Sequence, residues 1–250
     1  MDVASLYASK LTTPETAVAD IPSGSKLSMA MAMSEPPALL GALADRAASG
    51  SIEDLKIYYF EATSIAGKSV LRYELNDRIR PYCMFVAAAD RTLIKAGLKD
   101  RGRKVINYVP NNFHQAPRLM IDEIGIDTFV VTVSPMDRHG YFSFGVGNDY
   151  STKVARSAKR LIVEVNQHMP RVNGVGAELH VSEVHNIVEN HVPLLELPER
   201  EGSRRKPSSV GPSPGWCRTG PVCRWVLARC PIWSVLNSRS TMTLVSIPRR

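Results

Sequence analysis

The sequence predicts an α/β domain built on a mostly parallel sheet, and three observations carry that prediction. Short β-rich runs alternate with helical stretches of about ten residues, the pattern of strands joined by crossover helices. The first 200 residues hold 22 Lys/Arg against 23 Asp/Glu, an ordinary globular balance. The 250-residue chain is 44% hydrophobic, enough for one large core.

The elements follow in order. Thr13-Pro14-Glu15 reads as a helix start, with Thr13 as N-cap and Pro14 at the first helical position. Residues 21–25 form a turn and lead into a strand over Lys26–Met31. Pro36 or Pro37 opens a helix whose apolar positions Leu39, Leu40, Leu43 and Ala47 share one face. Leu55–Phe60 is β-rich, Asp90–Asp100 is helical and Lys104–Tyr108 is a short strand. Residues 112–121 read as a helix broken near Pro117, and Thr128–Val133 is the clearest strand. A turn over Asp137-Arg138-His139-Gly140 leads to a strand over Tyr141–Val146, which predicts a hairpin with the strand before it. Thr152–Lys159 is helical and Leu161–Val165 is a strand.

The composition excludes collagen, coiled coil and wholesale disorder. No apolar run approaches the roughly 18 residues of a membrane span. The first residues lack the basic and apolar regions of a secretory signal, so a cytoplasmic location is expected. The net charge of +7 comes from the end of the chain: residues 201–250 carry nine Lys/Arg against the single acid Glu201. That stretch also holds all three Trp (Trp216, Trp225, Trp233), three of the four Cys (Cys217, Cys223, Cys230), six Pro and no Asp. The chain therefore divides into a domain over 1–200 and a basic tail over 201–250, with the boundary between Pro198 and Arg205.

Ser34-Glu35-Pro36-Pro37 stands where a strand hands over to a helix, a place where backbone N–H groups can face an anion. The same residues also read as a plain helix start, the commoner role of such residues. Gly145-Val146-Gly147-Asn148-Asp149-Tyr150 lacks the third glycine of the dinucleotide fingerprint, since Tyr150 stands in its place. It is open to two readings: a loop that lets a ligand approach backbone, or a tight turn capped by Asp149. His180-x4-His185-x5-His191 is not a zinc spacing, so no metal is expected. Cys83 sits in an apolar run and reads as a buried, inert thiol. No nucleophile elbow and no phosphate-binding loop occurs.

Several strings together resemble one family. They are Val109-Pro110-Asn111, Val133-Ser134-Pro135-Met136-Asp137-Arg138-His139-Gly140-Tyr141, Gly145-Val146 with Asp149-Tyr150, and Glu164-Val165-Asn166-Gln167-His168-Met169-Pro170-Arg171. His180-Val181-Ser182 and Leu195-Glu196-Leu197-Pro198 continue the series. In this order they resemble the N-terminal half of the acetyl-CoA hydrolase/transferase family, which includes acetate, succinate and 4-hydroxybutyrate CoA-transferases. The resemblance implies an open, mostly parallel sheet with flanking helices and a reaction between an acyl-CoA and a small carboxylate. Coenzyme A is then a substrate and no cofactor is implied. It also implies a glutamate that attacks the thioester to form a mixed anhydride and then a glutamyl-CoA thioester. That glutamate follows a His-Thr pair in a C-terminal domain, preceded by a Gln-Met-Gly-Ile-Gly-Ala loop. Neither string occurs here, so no residue of this chain is assigned as catalytic. By matching position, the substrate-binding candidates are Ser34, Glu35, Pro36, Asn111, Gly145 and Asp149. Gly147-Asn148 stands where the family often has a Ser, and residues 112–115 are atypical, which leaves the acyl specificity open. Family members are often dimers, and no membrane or nucleic-acid partner is implied.

The genetic code offers a reading of the tail. Taken one base earlier, Trp225-Val226 forces Gly, Met242-Thr243 forces Asp and Trp216-Cys217 forces Val. With permitted codons, residues 223–238 become Gln-Met-Gly-Ile-Gly-Ala-Leu-Pro-Asp-Leu-Val-Cys-Ala-Glu-Leu. Residues 240–249 become Lys-His-Asn-Asp-Leu-Gly-Ile-His-Thr-Glu. The glycine loop and the His-Thr-Glu string of the family both appear, in order. The expectation is a frameshift between Glu199 and Arg205, and a 250-residue product that is inactive and exposes an apolar interface. Two alternatives stand beside it: a CoA- or acyl-binding module without chemistry, and a nucleic-acid-binding protein with a functional basic tail.

Overall fold

The parallel sheet follows from strands whose residues are buried on both faces. In the computed structural model, which describes residues 2–196, Thr128–Val133 is buried at every position. Such a strand needs cover on both sides, and helices flanking the sheet supply it. Nine strands run in chain order: β1 (Lys26–Met29), β2 (Leu55–Tyr59), β3 (Ile79–Cys83), β4 (Asn107–Tyr108), β5 (Thr128–Val133), β6 (Tyr141–Ser143), β7 (Arg160–Val165), β8 (Glu178–His180) and β9 (Asn186–Glu189). Seven form one parallel sheet in the order β4-β3-β2-β1-β5-β7-β9.

The helices are α1 (Val3–Lys10), α2 (Pro14–Ala19), α3 (Pro37–Ala48), α4 (Ser64–Lys68), α5 (Ala88–Arg101), α6 (Ala116–Arg118) and α7 (Ser151–Ser157). Alternate strand residues feed two cores. Leu27, Met29, Ile57, Tyr59, Val130 and Ile162 pack under α2 and α3, with Val18, Leu39, Leu40 and Leu43. Ala30, Tyr58, Phe129, Val131, Leu161 and Val163 pack on the other face, with Tyr150, Val154 and Met120. α2 starts as its sequence requires, with the Thr13 hydroxyl accepting from the Thr16 N–H and Pro14 at the first position.

Several elements differ from the sequence reading, which had no counterpart for α1, α4, β8 and β9. The expected hairpin between 128–133 and 141–146 does not form. Both edges of β5 are taken by β1 and β7, so β6 turns away and pairs antiparallel with β8 (Tyr141↔His180, Ser143↔Glu178). The turn itself is present, with the Gly140 N–H donating to the Asp137 carbonyl at 3.0 Å. β3 escaped the sequence reading because Pro81 interrupts it. Proline is tolerated there because β4 pairs only with Tyr82 and Cys83, so the missing N–H breaks no ladder bond. Residues 113–124 are not one broken helix but a 3₁₀ turn, the single turn α6 and a π-helical stretch over Leu119–Ile124.

Cys83 is fully buried, and burial, with Asp90 beside it, pushes its thiol up to about 12. It is not a nucleophile at neutral pH. Among the described residues no helix is long and apolar enough to cross a membrane. The tail and its proposed frame lie outside the described residues.

Candidate active site

The strand order reverses at β1: β2 to β4 extend one way and β5, β7 and β9 the other. In open parallel sheets the loops diverge at such a point and leave a crevice at the carboxyl ends of the strands. Two non-glycine residues at those ends hold left-handed backbone, Ala32 after β1 (φ 53°) and Glu61 after β2 (φ 32°). Strain of this kind persists only where surrounding packing imposes it, and it concentrates at functional sites.

The loop after β1 carries Ser34, Glu35 and Pro36. Ser34 is fully buried and its Oγ has no hydrogen-bond partner among the described residues. The Glu35 carboxylate points into the start of α4. It accepts from the Thr63 N–H (2.8 Å), the Thr63 hydroxyl (2.5 Å) and the Ala66 N–H (3.1 Å). Pro36 opens α3, its carbonyl accepting from the Leu40 N–H at 3.0 Å. The first N–H groups of α3 do not face an open anion site. Glu164 of β7 takes those of Ala38 (2.9 Å) and Leu39 (3.1 Å) on one oxygen, while Asn190 donates to the other at 2.7 Å. Two buried carboxylates thus cap the two helices beside the crevice. Burial pushes both up to about 7, against the hydrogen bonds that favour their charged forms.

The second wall is the loop from Gly145 to Tyr150. Gly145 has φ 59°, and a Cβ there would stand 2.3 Å from Met169 Sδ. A Cβ on Gly147 would stand 1.9 Å from Ser34 Oγ, so this glycine lets the two loops touch. Asp149 accepts from the Ser151 N–H (3.0 Å) and hydroxyl (2.9 Å) and so forms the tight turn ahead of α7. Burial raises its pKa despite those bonds. Tyr150 is fully buried and its hydroxyl donates to the Met29 carbonyl at 2.7 Å, which ties this loop to β1. Its ring meets Phe60 (centroids 5.4 Å apart) and Phe113 (6.5 Å). Asn111 leads into the turn that carries Phe113. Its Nδ2 donates to the Val109 carbonyl at 3.3 Å and its Oδ1 is buried without a partner among the described residues.

The long strings singled out in the sequence lock these loops together. Asp137 accepts from the His139 and Tyr141 N–H groups (2.9 Å each). Arg171 bonds Asp137 (2.8 Å), Glu178 (2.6 Å) and the Tyr141 carbonyl (3.1 Å). Asn166 accepts from the His168 N–H (2.9 Å) and donates to the Val192 carbonyl (2.7 Å). The domain family described as acetyl-CoA hydrolase/transferase, N-terminal domain, matches residues 1–196.

The chain belongs to the acetyl-CoA hydrolase/transferase family.

Among curated relatives, the 4-hydroxybutyrate coenzyme A transferase of Clostridium kluyveri is 35% identical over 79% of this chain and 43% of its own length. The succinyl-CoA:cyclohexane-1-carboxylate CoA transferase of Geobacter metallireducens is 30% identical over 76% of this chain and 41% of its own. Among solved structures, RipA from Yersinia pestis superposes with a TM-score of 0.83 at 64% identity, covering 84% of this chain and 49% of RipA. A 4-hydroxybutyrate CoA-transferase from Porphyromonas gingivalis, at 23% identity and a TM-score of 0.61, shares the fold. The chain spans about two-fifths of the length of the curated relatives it matches.

Of the residues named from sequence, the structure brings Ser34 against the Gly145–Asp149 loop. It links the turn after Asn111 to that loop through Phe113 and Tyr150. The Glu35 carboxylate does not join them, because it is spent on α4. Of the residues flanking the crevice, the sequence singles out Gly147, Tyr150 and the 112–115 segment that holds Phe113, but not Phe60 or Glu61. Glu61 carried a readable signal, an acid directly after an apolar strand. A cleft of about 700 Å³ between α4 and α5, lined by Lys68, Arg72 and Ala89, lies beside this site, and Ser34 and Gly147 do not line it.

Proposed function

We propose that this chain is the N-terminal part of an enzyme that transfers CoA between an acyl-CoA and a small carboxylate. The observation that carries this reading is the 35% and 30% identity to two curated CoA transferases over about three-quarters of the chain. The convergence of the strand-end loops at the β1/β5 crevice supports it, because those loops hold the residues that the family resemblance selects.

The chemistry is acyl transfer through a carboxylate. A glutamate oxygen attacks the thioester carbonyl, expels CoA thiolate and leaves a mixed anhydride. The thiolate attacks the glutamyl carbonyl of that anhydride, releases the first carboxylate and forms glutamyl-CoA. The acceptor carboxylate then repeats the sequence in reverse. This half of the enzyme supplies one wall of the pocket. The nucleophile belongs to the frame one base earlier in the tail, where the His-Thr-Glu string is restored. A protein of these 250 residues alone then turns over no substrate.

The test is an assay of acetyl-CoA with a series of carboxylates, on the 250-residue protein and on the protein expressed after the frame is restored. Transfer by the second and none by the first is expected. Family-like turnover by the 250-residue protein sinks the assignment of the nucleophile. CoA affinity without turnover in both proteins favours a binding module. The basic tail favours a nucleic-acid reading only if DNA affinity falls steeply with salt and disappears on truncation at 200.

A further inference from the structure

We propose that Glu35 is a positioning residue for the reaction, the one that holds the loops after β1 and β2 in their strained form at the ends of the sheet. The inference rests on the CoA-transfer reading and gives Glu35 a part in it that needs no contact with substrate. Each of these loops contains a left-handed non-glycine residue, Ala32 after β1 and Glu61 after β2. A residue with a Cβ keeps such backbone only where its neighbours hold it. Every polar group of Glu35 is bonded to one of these loops, to α4 or to β5. Its N–H donates to the Ala32 carbonyl at 3.2 Å. Its carbonyl accepts from the Thr132 hydroxyl of β5 at 3.0 Å. Its carboxylate crosses to the other loop, where it accepts from the N–H and hydroxyl of Thr63 and the N–H of Ala66, shortly after Glu61. Glu35 is 1% exposed, so these bonds are shielded from water.

This arrangement is more than a helix start needs. α4 has a cap of its own, the Thr63 hydroxyl, which accepts from the Ile65 N–H at 3.1 Å. Burying a carboxylate is costly, and burial pushes Glu35 up to about 7 against its hydrogen bonds. What the carboxylate adds is a link between two loops 28 residues apart. Glu164 gives the contrast: it bonds Ala38, Leu39 and Asn190, none of them left-handed. Without the Glu35 carboxylate the Glu61 backbone is free to leave φ 32°, and the direction of its side chain turns with it. A loop displaced by about 1 Å misaligns the reacting groups even when every residue that touches substrate is intact.

The test has two arms. In the 250-residue protein, Glu35→Ala is expected to speed hydrogen exchange at the Thr63 and Ala66 amides about tenfold or more. The amides of Ala38 and Leu39, held by Glu164, are expected to stay as protected as in wild type. Equal acceleration at all four overturns the clamp. In the protein with its frame restored, kcat and KM are measured for acetyl-CoA with propionate as acceptor. Glu35→Ala is expected to lower kcat about 100-fold and to change KM by less than about threefold, because a misplaced loop weakens the transition state more than it weakens binding. Glu35→Gln keeps one oxygen for the Thr63 N–H and offers its amide to the Thr63 hydroxyl, and is expected to recover to within about tenfold of wild type. If Glu35→Ala fails to fold, Glu35→Asp, too short to reach α4, takes its place in both arms. A folded Glu35→Ala or Glu35→Asp with wild-type kcat overturns the positioning role and leaves the CoA-transfer reading intact. A restored-frame wild type that transfers no CoA overturns both.

Discussion

Glu35 and Glu164 show how a residue picked by position and one passed over can have the same role. Each is a buried carboxylate whose oxygens take the free N–H groups of a helix start. Both are raised from 4.5 to about 7, so folding favours their protonated forms. Their contribution to stability is then complete below about pH 4.5 and is lost as the pH rises through 7, by roughly 3 kcal/mol per group. Glu164→Gln keeps an acceptor for Ala38 and Leu39 and removes the titration. Urea unfolding of the full chain at pH 5 and pH 8 is expected to show a smaller loss of stability in the variant than in wild type. Equal losses contradict the assignment. Gly147→Ala drives a methyl into Ser34 Oγ, which no flexible side chain can relieve, and is expected to cost roughly 1–3 kcal/mol in the same measurement. The Gly145–Tyr150 loop was legible from sequence as a glycine-rich turn. That its second glycine exists to admit Ser34 was not, because the two are 113 positions apart and no local pattern couples them.

At the scale of elements, the strands with continuous apolar runs were legible and the pairing of β6 was not. A turn after a strong strand predicts a hairpin from local geometry, but β5 is central and has no free edge. β8, three residues long and next to a glycine-rich segment, carried too weak a pattern to be seen as the true partner. Arg171 joins this small sheet to the turn before it through Asp137, Glu178 and the Tyr141 carbonyl. The ion pairs are partly exposed, so Arg171→Ala is expected to lower global stability by only about 1 kcal/mol. Its larger effect is local: hydrogen exchange at the amides of His139 and Tyr141 is expected to accelerate, while β5 and β7 stay protected. Uniform acceleration across the sheet contradicts that division of labour.

For the whole molecule, the domain and the tail obey different rules. Residues up to Glu196 form one compact unit whose charges balance and whose apolar residues fall on two sheet faces. The tail concentrates tryptophan, cysteine and arginine and contains no aspartate, which no packing requirement of an α/β domain demands. The α/β class was legible because periodicity and composition are local. A continuation resembling the family's second half is read only through the genetic code, one base earlier in the tail. Nucleotide sequencing of the coding strand past codon 199 shows directly whether the tail is an out-of-frame continuation of the domain. The frame one base earlier is expected to stay open and to encode Gln-Met-Gly-Ile-Gly-Ala and then His-Thr-Glu, with Arg224 written as AGA. A stop in that frame before the His-Thr-Glu codons, or any other Arg224 codon, contradicts this reading.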